Sequence, residues 1–398
     1  MRGLPVPQRA EDFTADPVEL FFDLAFVYAF SQLVAHMVHF PTWEGASEGL
    51  LLFLILWFAW STFTWAANAV SGNAREVRAI FLVGTAVSVP MGASVQSAFT
   101  SGGGTFAICA TVIVFLGIGL QIWTASSLPD TRSEFLTILR YGMPNLLACT
   151  LLIIGGYLDE GPRKVLWVIF VLTVVTAVQM AKSGDWVVRA GHFAERHGLI
   201  IIIALGEIVV AIGISVVNSL GAESGLPTRT LVGLIAAGIM AALLWWSYFD
   251  RLQPGLEHRG EELEGRARSR FAGDVYTMTH IPLVAGIISM AAATEEILLH
   301  PKDAVHTEFL VMFVVGFGLF FGGIALAAYI AFRAVAVERA TAIVAVALLA
   351  VLGKSLGGVT LLMLIDLILV VTLVVEHIRI ERPHTNEQVA GREAELAS

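Results

Sequence analysis

The sequence predicts an all-α integral membrane protein of about twelve transmembrane helices with both ends in the cytoplasm. Three observations carry this. The 398-residue chain is 57% hydrophobic and 14% charged, with a mean hydropathy of +0.78, whereas soluble domains are about 45–50% apolar and about a quarter charged. Its apolar residues fall in blocks of roughly twenty, the helical length that crosses a hydrocarbon core of about 30 Å. Finally, Lys and Arg gather in alternate connections, as the positive-inside rule requires.

The expected spans are 17–39, 47–69, 78–99, 104–126, 133–156 and 163–182 in the first half. In the second they are 194–218, 229–249, 273–298, 305–331, 337–353 and 355–376. The last two are separated by "VLGKSLGG", which reads either as a tight hairpin or as a break in one structure. With the N-terminus inside, 19 of the 24 Lys and Arg fall on the inner side; Arg163, Lys164, Arg229, Lys302 and Lys354 fall outside. Residues 1–16 then form a cytoplasmic segment, 17–376 the membrane domain and 377–398 a cytoplasmic tail. The N-terminus is too polar for a signal peptide, so the first apolar block is expected to stay as a helix, and the expected location is a plasma membrane.

Composition also narrows function. Cys109 and Cys149 each lie inside an apolar block, with no CxxC or other metal-ligand spacing. The net charge of −9 comes without a basic run, which argues against nucleic acid. The expected partners are the lipid bilayer and a small molecule, ion or lipid substrate. Nothing in the sequence requires a cofactor. "WSTF" (Trp60–Phe63) in span 2 is echoed by "WSYF" (Trp246–Phe249) in span 8. This suggests two parallel six-helix halves, 17–182 and 194–376. The charged stretch Asp250–Arg270 reads as a solvated loop or surface helix.

The chemistry-bearing residues are the ionisable ones inside apolar spans. In "PVELFFDLAFVYAF", Glu19 and Asp23 are i, i+4 and share a face. Glu19 suits the positive end of the helix dipole. Asp23 lies a turn deeper among phenylalanines, where a carboxylate needs a partner or water. In "HFAERHGLIIIIALGEIVVAIG", His192, Glu195 and Arg196 stand at the mouth of span 7, and His197 reads as an interfacial anchor. Glu207 lies twelve residues past Glu195, about 18 Å along a helix, near the bilayer midplane. Gly206 beside it leaves room for a neighbouring helix. His280 in span 9 precedes Pro282, which frees backbone carbonyls nearby. Arg78 and Arg140 enter from the same side. The expectation is one polar cavity open to the cytoplasm, lined also by Phe22, Trp246 and Tyr248. Asn68, Gln96, Gln121, Asn145 and Gln179 read as interhelical hydrogen-bonding groups, and Asp366 is unassigned.

At these residues the sequence resembles the bacterial low temperature requirement A (LtrA) family. "PVELFFDLAFVYAFSQL", "HFAERHGLIIIIALGEIVVAIG", "WWSYF" and the His280 segment are similar to that family's hallmark segments. The resemblance covers about Val18 to Glu376. It implies a polytopic membrane protein and marks Glu19, Phe22, Asp23, His192, Glu195, Arg196, Gly206 and Glu207, followed by Trp246, Tyr248, Phe249 and His280. It implies no molecular activity.

Three function classes remain. A small-molecule or ion transporter, coupled to protons through Glu207 or Asp23, suits twelve spans and buried carboxylates. A metal-dependent intramembrane enzyme acting on a lipid or isoprenoid would need ligands, and His192, Glu195 and His280 are the available set. No HExxH, GxSxG or phosphate loop supports it. The third class is a non-catalytic membrane component supporting growth in the cold.

Overall fold

In a computed structural model of the chain, residues 15–70, 74–125, 131–182, 184, 186–220 and 226–396 are described. Residues 1–14 of the expected N-terminal segment lie outside them. The described residues fold into α-helices and their connections, with a single isolated bridge between Ala304 and Gly357. Helices α1 (Pro17–His39), α2 (Trp43–Asn68), α3 (Arg75–Ala93), α4 (Gly103–Ala125), α5 (Thr131–Gly156) and α6 (Glu160–Ala181) correspond to the first six expected spans. Helices α7 (Ala190–Leu220) and α8 (Thr228–Phe249) follow, then two short helices, α9 (Leu252–Glu262) and α10 (Gly265–Phe271). The chain continues as one turn-rich π segment, Ala272–Met278, into α11 (His280–Leu299). Last come α12 (Thr307–Phe332), α13 (Val337–Leu352) and α14 (Gly358–Leu396).

Among the described residues, eleven helical segments are long and apolar enough to cross a membrane. The eleventh expected span, 337–353, forms α13, which has only 16 residues. That is about 24 Å of helix, less than the hydrocarbon core. The "VLGKSLGG" stretch is a turn between two separate helices, and α14 continues helically through the expected tail to Leu396. The Asp250–Arg270 stretch forms α9 and α10, and α9 buries Leu252, Leu256 and Gly260.

Helices α2 and α11 are the most enclosed. Helix α1 packs on α2 and α3 on one side and on α7 and α11 on the other. The neighbours of α1 and α7 are alike: α1 touches α2 and α3, and α7 touches α8 and α11. The "WSTF" and "WSYF" segments do not occupy like environments, however. Trp60 is fully buried, whereas Trp246 is 54% exposed.

Backbone ends are satisfied by specific side chains, as a lipid environment demands. Asp16 caps α1 in a capping box with Glu19. Arg189 donates to the carbonyls of Ala67, Asn68 and Val70 at the end of α2. On the opposite side, Arg163 donates to Ala98 O and Thr100 O and to Leu158 O, tying the α3–α4 connection to the α5–α6 turn. Among the amides, Gln121 donates to Thr62 O on α2 and Gln96 to Gln32 on α1. Asn145 instead donates back to Tyr141 O on its own helix.

Candidate functional site

Helices α1 and α7 run side by side in the same direction. Contacts advance together along both: Ala15 with Glu195, Glu19 with His192 and Arg196, Asp23 with Arg196, Ser31 with Glu207. Parallel packing follows directly if both helices enter from one membrane face.

Near the start of α1, four ionisable groups from the two helices form one network. His192 Nε2 lies 3.1 Å from Glu19 Oε2, and Arg196 Nη1 lies 3.3 Å from that same oxygen. Arg196 Nη2 donates to Asp23 Oδ1 at 2.9 Å. From α2, the Trp60 indole N–H donates to the same Asp23 oxygen at 2.9 Å. A planar guanidinium can hold two carboxylates at once, which an ammonium does less well. Glu19 also accepts from the Asp16 backbone N–H at 3.5 Å, so it completes the helix cap as well as the ion network.

This arrangement corrects the expected open cavity. Glu19 and Asp23 are each 2% exposed, and His192 and Arg196 are fully buried. In this conformation the charges face one another rather than water. Phe22 closes the network on one side, stacked on Phe63 with ring centroids 4.5 Å apart and set edge-on to Phe81. Arg78 stands outside, exposed, with its guanidinium 3.6 Å from Asp16. Arg140 is exposed on α5 and does not join. Glu195 is also outside the ion network; it accepts the Ala15 N–H at 2.8 Å.

A second polar group sits beside the first. His197, expected as an interfacial anchor, is fully buried. Its Nδ1–H donates to Phe193 O at 2.9 Å. Its ring stands edge-on to Trp60, 5.3 Å away, and 5.1 Å from the rings of both Tyr276 and His280. The π segment presents Val275 O, which accepts from His280 Nδ1 at 3.1 Å and also from Thr279 Oγ1. His280 Nε2 is therefore the lone-pair nitrogen, and Tyr248 O–H donates to it at 2.8 Å. The carbonyl that His280 captures therefore belongs to the π segment and is not the one four residues before Pro282 that the proline leaves without a donor. Trp246, by contrast, turns outward.

Farther along, Glu207 is 1% exposed and accepts from Ser31 Oγ at 2.8 and 3.1 Å. Ser31 is its one hydrogen-bonding partner among the described residues. Glu295 on α11 lies close enough to interact with it electrostatically. Gly206 does not serve a close helix approach, since a Cβ there would meet nothing within 4 Å.

At the far end of α1, His36 Nε2 lies 3.3 Å from Glu48 Oε2 on α2. Lys164 from α6 reaches Glu48 at 2.7 Å and both Glu44 and Glu160 at 2.5 Å. Sequence reasoning missed this cluster because its members lie near span ends, where charges are ordinary. Trp60 was noticed only as part of a repeat, and nothing local marked it as a donor to Asp23.

The residues offered for a metal do not converge. His192, Glu195 and His280 each have a different partner. The described group with metal-ligand proximity is Glu44, Glu48 and Glu160, and Lys164 Nζ already occupies its centre. Asp366 is buried in α14, and its Oδ1 has no hydrogen-bond partner among the described residues.

Comparison with known proteins fits this geometry. The chain is 28% identical, over 296 residues, to Uncharacterized protein RA0937 of Rhizobium meliloti (strain 1021), covering 71% of this chain and 69% of that protein. No solved structure matches it. The family described as Bacterial low temperature requirement A protein (LtrA) matches residues 14–375, a range that contains every residue of the α1–α7 network. The chain is a multi-pass membrane protein and belongs to the LtrA family.

Proposed function

We propose that the protein is a transporter of a small molecule or ion, coupled to proton movement, with α1 and α7 forming its moving seam. The observation that carries the reading is the run of ionisable groups along α1 from one membrane face toward the other. Glu19 and Asp23 meet Arg196 at the start, Ser31 meets Glu207 midway, and His36 meets Glu48 toward the end. A path that serves both faces needs polar groups at several depths, and buried carboxylates and histidines are the usual proton carriers in membranes.

The depths are separated by apolar packing. Asp23 and Ser31 are eight residues apart, about 12 Å along the helix, and Phe26 and Phe30 between them are fully buried. Conduction in this conformation is therefore blocked. Opening requires α1 and α7 to part, which would break the pairs of Arg196 with Glu19 and Asp23 and admit water. On this reading the network is a closed gate on the cytoplasmic face and Glu207 is the proton-binding group. The distribution of Lys and Arg supports both termini lying in the cytoplasm of a bacterial plasma membrane. Helices 17–182 and 194–376 would then rock as two halves against one another.

The intramembrane enzyme gains no support, since its ligand set is dispersed. The structural-component reading differs by one measurable property, flux. Purified protein in proteoliposomes carrying an internal pH-sensitive dye, challenged with gradients of Na⁺, K⁺ and pooled metabolites, tests this. The expected result is proton flux driven by one of these gradients, lost in Glu207→Gln while the variant keeps its fold. Flux undiminished in Glu207→Gln, or no flux under any gradient, overturns the reading.

A further inference from the structure

Away from the α1–α7 seam, α8, α13 and α14 enclose a cavity of about 430 Å³. Its walls differ in chemistry. Leu243 and Trp246 from α8 and Val370 and Val374 from α14 form an apolar face. Arg251, just beyond α8, and Arg339, in the first turn of α13, stand at one end with Asp250 and Glu376. The end of α8, the start of α13 and this part of α14 lie at the same membrane face. Trp246 is 54% exposed, as suits an indole at a lipid–water boundary.

Arg339 is nine-tenths buried, yet its hydrogen bonding is incomplete. Its Nε and Nη2 face Glu376 at 3.2–3.3 Å, and Nη2 also donates to Ser247 O at 3.3 Å. Its Nη1 has no partner among the described residues. Arg251 pairs through Nε with Asp250 at 3.2 Å and donates through Nη2 to His377 Nδ1 at 3.2 Å. Each carboxylate thus engages one edge of its guanidinium.

We infer that this cavity is a binding site for a phosphate-bearing membrane lipid. The phosphodiester would sit against the partly exposed Arg251 and, once side chains at this end of the cavity shift, against the enclosed Nη1 of Arg339, a geometry guanidinium groups favour. An acyl chain would lie along Leu243, Trp246, Val370 and Val374. One ligand would then supply the partner that Arg339 Nη1 lacks and cover the apolar wall.

The test is thermal unfolding of the purified full-length protein in detergent with three probes added in turn. Dioleoyl phosphatidylglycerol has both phosphate and chains, dioleoylglycerol has the chains alone, and sn-glycerol 3-phosphate has the phosphate alone. The proposal expects a saturable rise in Tm with phosphatidylglycerol and none with the other two. It expects the apparent affinity to fall at least tenfold in Arg251→Gln, whose side chain is 35% exposed. The double variant Arg339→Gln with Glu376→Gln, which leaves no lone buried charge, should lose the effect. Equal stabilisation by dioleoylglycerol would reduce the site to an apolar groove, and by glycerol phosphate to a free-anion site; either overturns the proposal. So does the absence of any phosphatidylglycerol effect, or its persistence in Arg251→Gln.

Discussion

The two ends of α1 hold charge in opposite ways. At the start, a guanidinium is shared by two carboxylates and a histidine completes the set, all of it at most 2% exposed. At the far end, Lys164 gathers Glu44, Glu48 and Glu160, and the side chains of Glu44 and Glu160 are 68% and 53% exposed. The difference teaches what each cluster can do. Water screens and replaces partners at the far end, so those pairs contribute little and exchange freely. At the start no water competes, so each charge depends on its protein partner, and losing one leaves another stranded. The first cluster thus holds α1 to α7 through charges that depend on one another, which the proposed function uses as a latch; the second is solvated at Glu44 and Glu160.

The largest effect should come from Arg196→Met. Removing the shared cation strands Glu19 and Asp23 in an apolar site, at a cost of about 3–5 kcal/mol, read as a large fall in Tm in detergent. Adding Glu19→Gln and Asp23→Asn to the same chain should restore much of that loss. A single variant as stable as wild type would break the contrast between the two ends.

An intermediate effect is expected for Trp60→Phe. It keeps most of the buried ring but removes the N–H that Asp23 accepts, at a cost of about 1.5–3 kcal/mol for a hydrogen bond to a charged group. If Asp23→Asn in the Trp60→Phe background costs as much as in wild type, the two residues are not coupled and the bond is not part of the latch.

The smallest effect belongs to Lys164→Met. Its partners at Glu44 and Glu160 are open to solvent, so Tm at physiological salt should barely move, and what change there is should shrink further as salt is raised. A fall in Tm comparable to that of Arg196→Met would show that the far cluster is as structural as the near one.

The bilayer made much of the fold readable, because a chain in lipid must satisfy its backbone within each span and so writes each helix as an apolar run. The exception is α13, whose apolar run, at 337–353, was already shorter than the roughly twenty residues a full span needs. Within the site, Glu19, Asp23, His192 and Arg196 were legible because charges inside apolar runs are costly and therefore conspicuous. Arg78 and Arg140 looked no different from Arg196 by depth and side. Only helix rotation separates them, and apolar runs that face lipid and protein alike carry too little amphipathic signal to fix that rotation.

The sequence by itself determined that this is a polytopic helical membrane protein, which helices carry ionisable groups, and at what depth. The tertiary structure decided who meets whom: that Arg196 joins Glu19 to Asp23, that Trp60 also donates to Asp23, and that Glu207 faces Ser31. It also decided that the expected cavity is closed in this conformation. The physical reason is that depth follows from counting residues along one helix, whereas pairing follows from how separate helices rotate and pack, which depends on all of them at once.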